Sequence, residues 1–342
     1  MSVLFGRRAE ERSIEQLASW WREWRGQVGG VYVDEDSGMR HDAVWSCVNR
    51  IAQSVAMLPV DVVRYVNGTR QPIEPRPQIV AAPSVTASGL DWRYQVMVSW
   101  LTRGNAWGLV TQVAPSQSQT LYPTRIELVS AGSVAVSLDG SDLAFMVNGK
   151  RHDLWPVGDL WHVPAYTLAG SMLGLSPIAY HALTIGKGMA ASKFASDFFG
   201  AGGVPVSLLL SEFDPGPGAA NDLKDQFLAA SRNRKPVVLP KGVTYQQVSI
   251  NPEDSQFIET ERYSAEQIAR IYNLIPPEQI VPGSVTYNNR SERVEDFRTF
   301  VLGFWVTKLE EALSALLPRP QVVKINTDAL LRTDPKTTAE IA

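Results

Sequence analysis

The sequence predicts an α+β fold in which two long helices flank a small unit of strands and a helix. The first helix is predicted over residues 176–200, because Ser176 is a favourable N-cap residue and Pro177 suits the first helical position. The second is predicted over residues 252–274, and consecutive prolines at 276–277 stop it. Two long helices that carry a small unit between them indicate a tip that projects from a body.

The unit between these helices, residues 201–251, alternates strand and helix patterns. The segment VPVSLLL predicts a strand, DPGPG a turn and AANDLKDQFLAAS a helix. Two further strands are predicted by PVVLP and VTYQQV. We therefore expect a small α/β module.

Residues 41–175 predict a mostly-β body with helices at its flanks. An apolar stripe at helical spacing ends at Pro59, and VDVVRYV followed by Asn67-Gly68 predicts a strand and a hairpin turn. A loop is expected over 71–89, then a helix, GLDWRYQVMVSWLTRG. Short strands follow: NAWGLVTQV, TRIELV, SVAVSL, LAFMVNG and DLWHV. The glycine-punctuated connector PAYTLAGSMLGLS leads into the first long helix.

The last part of the chain predicts a loop, a third long helix and a short strand. Residues 275–287 contain three prolines and a glycine and are followed by two asparagines, which predicts the loop. Residues 288–317 carry an apolar helical face, with Gly303 as a point where the helix can bend. Within 318–342, QVVKINTDAL predicts a strand and DPKTTAEIA the start of another helix.

Residues 1–40 predict an N-terminal arm. The segment IEQLASWWREWRG is amphipathic, with arginines on a basic side. Its apolar side chains near helical spacing are Ile14, Leu17, Trp20, Trp21 and Trp24. We favour a helix that docks on its own body or a neighbouring one, and a helix on a membrane surface is the alternative.

Composition limits the classes of protein that this chain can belong to. Its 342 residues are 44% hydrophobic and 20% charged, which is typical of a globular protein with two or more subdomains. A net charge of −3 argues against a basic coat on nucleic acid, so any nucleic-acid contact has to be local or has to rely on weak binding. The single cysteine, Cys47, excludes an internal disulfide and fits a reducing compartment. We expect neither a signal peptide nor a membrane span.

The sequence offers no motif for catalysis, metal binding or a cofactor. The GKG at 186–188 differs from a phosphate-binding loop, because Gly188 stands where that loop has Ser or Thr and the pattern lies inside a helix. The four histidines lack metal-ligand spacing. The acids after residue 252 could form a metal or acid–base cluster, but such a run is more often a solvated helix face. We predict no catalytic residue, no metal and no cofactor.

Five segments resemble, in order and spacing, those of one known family. They are AVWSCVNRIAQSVAMLPVDVVR, RGNAWGLV, LAGSMLGLSPIAYHALTIG, DFFGAGGVPVSLLL and AEQIARIYNLIPPEQIVPGSVTYNN. Over about residues 40–335 the chain is similar to the portal proteins of tailed bacteriophages, in the short form of long-tailed phages. The family implies a ring, normally of twelve subunits, at one capsid vertex. Double-stranded DNA passes through the ring during packaging and ejection, and a separate ATPase drives it.

The resemblance gives each predicted region a place in the phage portal fold. In chain order these are an N-terminal arm (1–40), the first part of a β-rich wing (41–175), stem helix 1 (176–200), a small α/β clip (201–251), stem helix 2 (252–274), a tunnel loop (275–287), a long wing helix (288–317) and the start of a truncated crown (318–342). Family members extend further into a helical crown, so we do not expect a full crown here.

The resemblance also implies partners and a location. Expected partners are further copies of the chain in a homo-oligomer of twelve, double-stranded DNA, the major capsid protein, the terminase large subunit and the head–tail adaptor, without a membrane. The expected location is the portal vertex of the virion, and the host cytoplasm during assembly. The alternative is a protein-binding scaffold or adaptor of a virus-like particle that never touches DNA, and an enzyme ranks third.

The first stem helix carries small residues that would let copies of it approach closely. Glycine inside a helix costs about 1 kcal/mol, so a close contact that offsets this cost is expected. The residues are Gly186, Gly188, Ala190, Ala191 and Ala195. We expect the two glycines to face the adjacent subunit, and a close contact within one subunit is the alternative.

The second stem helix is acidic, which suits the wall of a DNA channel. Each cation paired with phosphate adds salt-sensitive affinity, whereas an acidic or mixed lining lets DNA slide. The expected lining residues are Glu253, Asp254, Glu259, Glu261, Arg262, Glu266 and Arg270. An ordinary solvated helix face is the alternative.

Two further sets complete the expected DNA path. The clip carries a basic cluster that would form a collar for the DNA backbone or an acidic partner, although it is more simply a solubilising turn. Its residues are Arg232, Arg234, Lys235 and Lys241. The tunnel loop is expected to touch DNA through shape and polar side chains, namely Gln279, Ser284, Thr286, Tyr287 and Asn288.

Overall fold

Helices and strands of the computed structural model follow the chain in nearly the predicted order. The structure describes residues 27–28, 31–116, 119–139, 142–200, 207–212, 216–232, 238–247, 254–274 and 294–329. The elements are β1 (Gln27–Val28), β2 (Val31–Tyr32), α1 (Glu35–Gly38), α2 (Asp42–Ala56), β3 (Val60–Val66), β4 (Thr69–Pro72), α3 (Gln78–Ala81), α4 (Gly89–Arg103), β5 (Asn105–Pro115), β6 (Leu121–Val129), β7 (Val134–Asp139), β8 (Asp142–Val147), β9 (Lys150–His152), β10 (Leu160–Pro164), α5 (Pro177–Tyr180), α6 (Ala182–Gly200), β11 (Ser207–Ser211), α7 (Gly216–Arg232), β12 (Val243–Gln247), α8 (Asp254–Ile271), α9 (Gly303–Ser314) and β13 (Gln321–Ile325). This mixture of helices and sheets agrees with the predicted α+β class.

The body is built on two helices, α2 and α4, that pack against each other. The apolar stripe of α2 faces inward, and Val44, Cys47 and Ile51 are fully buried. Burial raises the pKa of the Cys47 thiol to about 12, because the interior disfavours the thiolate. Trp92 and Trp100 of α4 are buried as well, and their indole N–H groups donate to backbone carbonyls of neighbouring strands.

Antiparallel sheets surround these helices. Strands β10, β5 and β6 form one sheet in that order, and β7, β8 and β9 form another. The hairpin turn at Asn67-Gly68 has two residues with positive φ, as the sequence predicts, and the turn at Asn148-Gly149 has the same feature. In a third sheet β13 pairs with β3, so that Gln321 lies opposite Arg64. That pairing returns the end of the described chain to the start of the body.

The predicted loop over 71–89 is wrong in two places. Strand β4 continues to Pro72, because it completes the hairpin with β3, and Gln78–Ala81 forms the short helix α3. Ile79 and Val80 of α3 are buried, so the body gives this segment an apolar surface to fold against. Packing, rather than local propensity, decides the structure here.

The first long helix is interrupted, whereas the sequence predicts a continuous one. It forms a short helix, α5, and a long one, α6, separated by His181 with φ −107° and ψ 22°. Ser176 and Pro177 begin α5 as predicted, and the Ser176 hydroxyl accepts from the backbone N–H of Ala179. The Ser176 cap bonds α5 to the body, whereas α6 packs along α8. The break at His181 therefore separates a short helix held by the body from a long helix held by its partner helix.

The second long helix ends before the prolines that were expected to stop it. Helix α8 ends at Ile271, and Asn273 adopts a positive φ of 57°. The backbone N–H of Leu274 then donates to the carbonyl of Ala269 at 2.9 Å, and the Leu274 side chain is fully buried. This is a left-handed C-terminal cap in which Asn takes the position that glycine usually fills.

The third long helix contains an irregular turn. Residues Phe297–Leu302 are π-helical and lead directly into α9, so the irregularity precedes Gly303, the predicted bend, by one turn. Gly303 itself has ordinary helical torsions. A π-turn inserts an extra residue into the helix and is often found at functional sites.

The unit between α6 and α8 contains β11, α7 and β12. Strands β11 and β12 pair antiparallel from Ser207 opposite Gln247, and the rings of Phe227 and Tyr245 lie 5.6 Å apart. The predicted strand PVVLP is wrong over 238–240, which has no strand structure. The predicted arm helix, the loop over 275–287 and the helix in DPKTTAEIA lie outside the described residues. In the part of the chain that is described, no helix has the length and hydrophobicity to span a membrane.

Candidate functional site at the root of the paired helices

The helix pair α6–α8 is attached to the body where two distant glycines meet. Gly104 ends α4 with φ 70°, and its carbonyl accepts from the backbone N–H of Ala165 at 2.7 Å. A Cβ atom on Gly104 would overlap the carbonyl oxygen of Leu175, and one on Gly174 would overlap the carbonyls of Gly104 and Ala165. Only glycine allows the two backbones to approach this closely.

The Asn105 side chain holds this approach in place. Its Nδ2 donates to the carbonyls of Gly174 and Arg103, at 2.9 and 3.1 Å, and its Oδ1 accepts from the N–H of Gly174 at 2.9 Å. Both backbone groups of Gly174 are therefore satisfied by one buried amide. Burial makes these bonds costly to lose, because water cannot replace them.

His162 supports the same amide from the neighbouring strand. Its Nε2 lies 2.9 Å from Oδ1 of Asn105, and because that oxygen only accepts, Nε2 carries the proton. The imidazole stacks on Trp107, with ring centroids 3.7 Å apart. Burial lowers the pKa of His162 to about 4, so the ring is neutral at pH 7.

Ser176 forms the next link between the body and the helix pair. Its hydroxyl donates to the carbonyl of Thr102 at 2.7 Å and accepts from the N–H of Ala179. One side chain thus caps the first turn of α5 and joins it to the last turn of α4. The direction in which the chain enters the pair is therefore fixed by the body.

The two long helices then pack closely against each other and against the start of α2. A Cβ on Gly188 would overlap the Ser264 hydroxyl of α8 and come within 2.5 Å of Nε2 of His41. Gly188 therefore makes the close contact within one chain that was the alternative, and its packing against an adjacent subunit stays a prediction. Ile185 of α6 and Ile268 of α8 are fully buried in the same core.

The described residues on either side of the segment 275–293 are joined by a hydrogen bond. Asn273, at the end of α8, donates from Nδ2 to the carbonyl of Phe300 at 3.0 Å. Phe300 lies in the π-helical turn, whose geometry leaves carbonyls without their usual helical donors. Tyr272 beside it is buried, and burial raises its pKa well above the ordinary value.

The residues expected to line a channel are only partly described. The backbone of α8 runs from Asp254 to Ile271, and within it Glu266 is half-buried and Arg270 is exposed. Glu253 lies outside the described residues. Glu259, Glu261 and Arg262 fall on the helix, but their side chains lie outside what the structure describes. The lining role of this face stays a prediction.

The other predicted sets of site residues are also only partly described. The tunnel-loop residues Gln279, Ser284, Thr286, Tyr287 and Asn288 lie outside the described residues, as do Arg234 and Lys235 of the clip cluster. Lys241 is exposed in a turn, and Arg232 ends α7. Gly186 is buried, and Ala190, Ala191 and Ala195 are half-buried on α6. Their packing against an adjacent subunit stays a prediction.

The structure also adds residues that sequence reasoning did not single out. Asn105, His162 and Asn273 were not among the candidates, although Asn105 and Gly174 lie inside two of the segments that carried the resemblance. That resemblance was the one signal that could have identified them, because the bonds join positions 69 residues apart. Among the described residues, no group of three or more His, Cys, Asp or Glu is arranged to hold a metal ion.

Comparison with known proteins identifies the class to which this architecture belongs. The model of the family described as phage portal protein matches residues 42–342, which include the body, the helix pair and its root. The chain belongs to the phage portal protein family.

Individual relatives and solved structures agree with this assignment. A probable portal protein of Streptomyces phage phiC31 is 26% identical over 371 residues, covering 99% of this chain and 80% of the relative. The crystal structure of an HK97 family phage portal protein from Corynebacterium diphtheriae has a TM-score of 0.65 at 16% identity, covering 87% of this chain and 96% of that one. A chain in the neck of a native gene transfer agent particle, computed with C12 symmetry, has a TM-score of 0.58 at 19% identity, covering 89% and 84%.

Proposed function

We propose that this protein is the portal subunit of a tailed phage or phage-like particle, and that its copies form a ring at one capsid vertex. Membership in the phage portal protein family over residues 42–342 carries this proposal. A ring of twelve is the proposed number, because a particle neck that contains a chain of the same fold has C12 symmetry. The ring conducts double-stranded DNA during genome packaging and ejection.

Within the proposed ring, the α6–α8 pair is the stem and the β-rich body is the wing. Residues 201–251 are the clip, 275–287 the tunnel loop and 288–317 the long wing helix. The buried amide of Asn105 and the Ser176 cap support this assignment, since a stem has to be rooted firmly in the wing. The contact of Asn273 with Phe300 would hold the two ends of the tunnel-loop segment together.

The proposed channel wall is the acidic face of α8. Repeated around the ring, its carboxylates repel phosphate and prevent the duplex from binding firmly to the wall. The basic residues of the clip, of which Lys241 is exposed, form a collar for the DNA backbone or an acidic partner. The small residues Gly186, Ala190, Ala191 and Ala195 provide close packing between neighbouring stems.

The proposed partners follow from this role. The terminase large subunit is the separate ATPase that drives DNA through the ring, and the portal itself catalyses no reaction. The head–tail adaptor docks on the ring after packaging, and the major capsid protein surrounds it in the shell. The portal is thus a virion protein of the capsid vertex that assembles in the host cytoplasm.

The ring can be tested directly on the purified chain. Native mass spectrometry should show a species of about twelve times 37.7 kDa, and negative-stain images should show a central hole. A chain that stays monomeric or dimeric at all concentrations would exclude the ring.

DNA contact needs its own experiment, because a ring-shaped scaffold could form without it. A photo-crosslinking amino acid in place of Tyr287, in the tunnel loop, should capture DNA in particles arrested during packaging. The same amino acid in place of Leu121, on the exposed surface of the body, should not. Capture at neither position would favour a scaffold without DNA contact, and equal capture at both would contradict a DNA path through the tunnel loop.

A further inference from the structure

A cavity of about 330 Å³ opens where α6, α8 and the start of α2 meet. Apolar groups of Met189, Ala191 and Ala265 line it, and Arg40 and Asp42 stand at exposed positions on its rim. An engineered apolar cavity of about 150 Å³ takes up benzene. This cavity therefore has room for a side chain as large as an indole.

The path of the chain brings the N-terminal arm towards this cavity. The β1–β2 hairpin packs on α6, the helix that forms one cavity wall. Gln27 pairs with Tyr32 across the hairpin, so the segments before Gln27 and after Tyr32 leave from the same end. The segment after Tyr32 reaches the rim at Arg40. The segment before Gln27 lies outside the described residues, and Trp24 is only three residues away, at most about 11 Å along the chain.

We propose that this cavity is the docking site of the chain's own N-terminal arm, with the indole of Trp24 filling it. Size and polarity agree, because indole is large and mostly apolar and can place its N–H towards the open side. Charge agrees as well, since Glu23 and Arg25 flank Trp24 while Arg40 and Asp42 flank the cavity. Both signs of charge are therefore available on the arm and on the rim.

Docking here ties the arm to the root of the helix pair. The cavity lies between α6, α8 and the start of α2, of which α8 contacts the other two, and an occupied cavity would join all three. The arm therefore stabilises the junction from which α6 and α8 leave the body. This inference is independent of the ring, because it concerns contacts within one chain.

Crosslinking between the arm and the cavity tests the proposal. Ser192 is an exposed residue that lines the cavity, and Leu183, nine residues earlier on α6, lies on the opposite face at 100° per residue. A short bis-maleimide should join Trp24→Cys to Ser192→Cys within one chain several-fold more than Trp24→Cys to Leu183→Cys. Cys47 will not compete, because its thiol is buried and its pKa is raised to about 12.

Co-expressed single variants identify the source of the arm. If Trp24→Cys on one chain and Ser192→Cys on another give covalent dimers, while the double variant gives no link within a chain, the cavity takes a neighbour's arm and the proposal is wrong. Equal yields for the Ser192 and Leu183 pairs would also overturn it.

Hydrogen exchange gives a second test that needs only one substitution. Trp24→Ala should speed amide exchange several-fold in the segments around 40–43 and 188–192, because the cavity loses its cover. Exchange in the distant β7–β8 hairpin should not change. Unchanged exchange around the cavity would contradict the docked arm, whether or not the ring forms.

Discussion

At the scale of single residues, one amide determines where the helix pair leaves the body. Asn105 satisfies the N–H and the carbonyl of Gly174 from a buried position, and His162 supports it from the side. Asparagine suits this place because its amide offers a donor and an acceptor on one short, rigid side chain. Aspartate would lack the donor, and a longer amide would not fit between the two backbones.

Replacing Asn105 with Ala should therefore cost about 2–4 kcal/mol of unfolding free energy. The loss leaves buried backbone groups of Gly174 without partners, and each such group costs about 1–3 kcal/mol. Urea unfolding measures the difference. Asn49→Ala is the control, because the half-buried Asn49 amide also donates to a backbone carbonyl but accepts only from the Tyr94 hydroxyl, which can turn to water, so its loss should cost no more than about 1 kcal/mol. Equal costs would show that the Asn105 bonds add no special stability.

His162 gives the stability of this root a dependence on pH. Its pKa is lowered to about 4 in the folded protein, so folding favours the neutral ring. That contribution is present above the unfolded value of about 6.5 and is lost as the pH falls towards 4. Its full size is about 3 kcal/mol.

The free energy of unfolding of the native chain should thus fall more steeply between pH 6.5 and 4 than that of His162→Phe. The variant keeps an aromatic ring against Trp107 but does not bind a proton, and it retains His181, whose pKa burial also lowers. Unfolding midpoints measured across this pH range give both slopes. Parallel slopes would mean that His162 is not the group that responds.

At the scale of elements, the contact between α6 and α8 depends on the absence of one side chain. Gly188 lies against His41 and Ser264, and the His41 imidazole cannot move freely, because it is buried and its Nδ1 accepts from the N–H of Ala43. The cost of a glycine within a helix is thus offset by close packing. The sequence favoured a close partner in the adjacent subunit, whereas the atoms nearest to Gly188 in the structure belong to the same chain.

Gly188→Ala should destabilise the protein by about 1–3 kcal/mol, since overpacking forces the neighbours apart. Gly218→Ala in α7 is the control, because a Cβ there meets nothing within 4 Å. That control should raise stability by as much as about 1 kcal/mol through a higher helix propensity. Thermal unfolding of both variants gives the comparison. A stabilising effect at Gly188 would refute the close contact.

At the scale of the whole molecule, the proposed ring multiplies the few charges that one subunit contributes to the channel. In the proposed ring of twelve, each subunit would add the acids of α8 to the channel wall, so a change of two residues would be repeated twelve times. Neighbouring subunits in such a ring use heterologous contacts, in which different faces of the chain meet. The effect of a charge on DNA therefore depends on where it lies in the ring.

Reversing charge at Glu259 and Glu261, with Lys at both, should make the ring bind duplex DNA more tightly and with a steeper dependence on salt. Packaging should slow, because the wall then holds the phosphates. The control reverses Glu74 and Glu311, which are exposed on the body, and changes the net charge equally. Fluorescence anisotropy of a labelled duplex, measured across a salt series, gives the DNA affinity and the salt slope of both variants. Identical salt slopes would place the α8 acids away from the channel.

The sequence alone determined the order of the elements and most of their beginnings and ends. Local signals sufficed where a few neighbouring residues decide the backbone, as in the Asn67-Gly68 turn and the cap by Ser176 and Pro177. The same local order allowed the family to be recognised, since its motifs follow the helix and strand boundaries. It did not single out Asn105 or His162 as the residues that fix the root.

Tertiary structure decided the break at His181 and the pairing of β13 with β3. It also decided that Gly188 packs within its own chain. In each case the cause is a contact between segments far apart in sequence, and the free energy of that contact outweighs the local preference of the chain. Helix signals extend over a few residues, whereas the bond from Asn105 to Gly174 spans 69, so only the folded arrangement could show it.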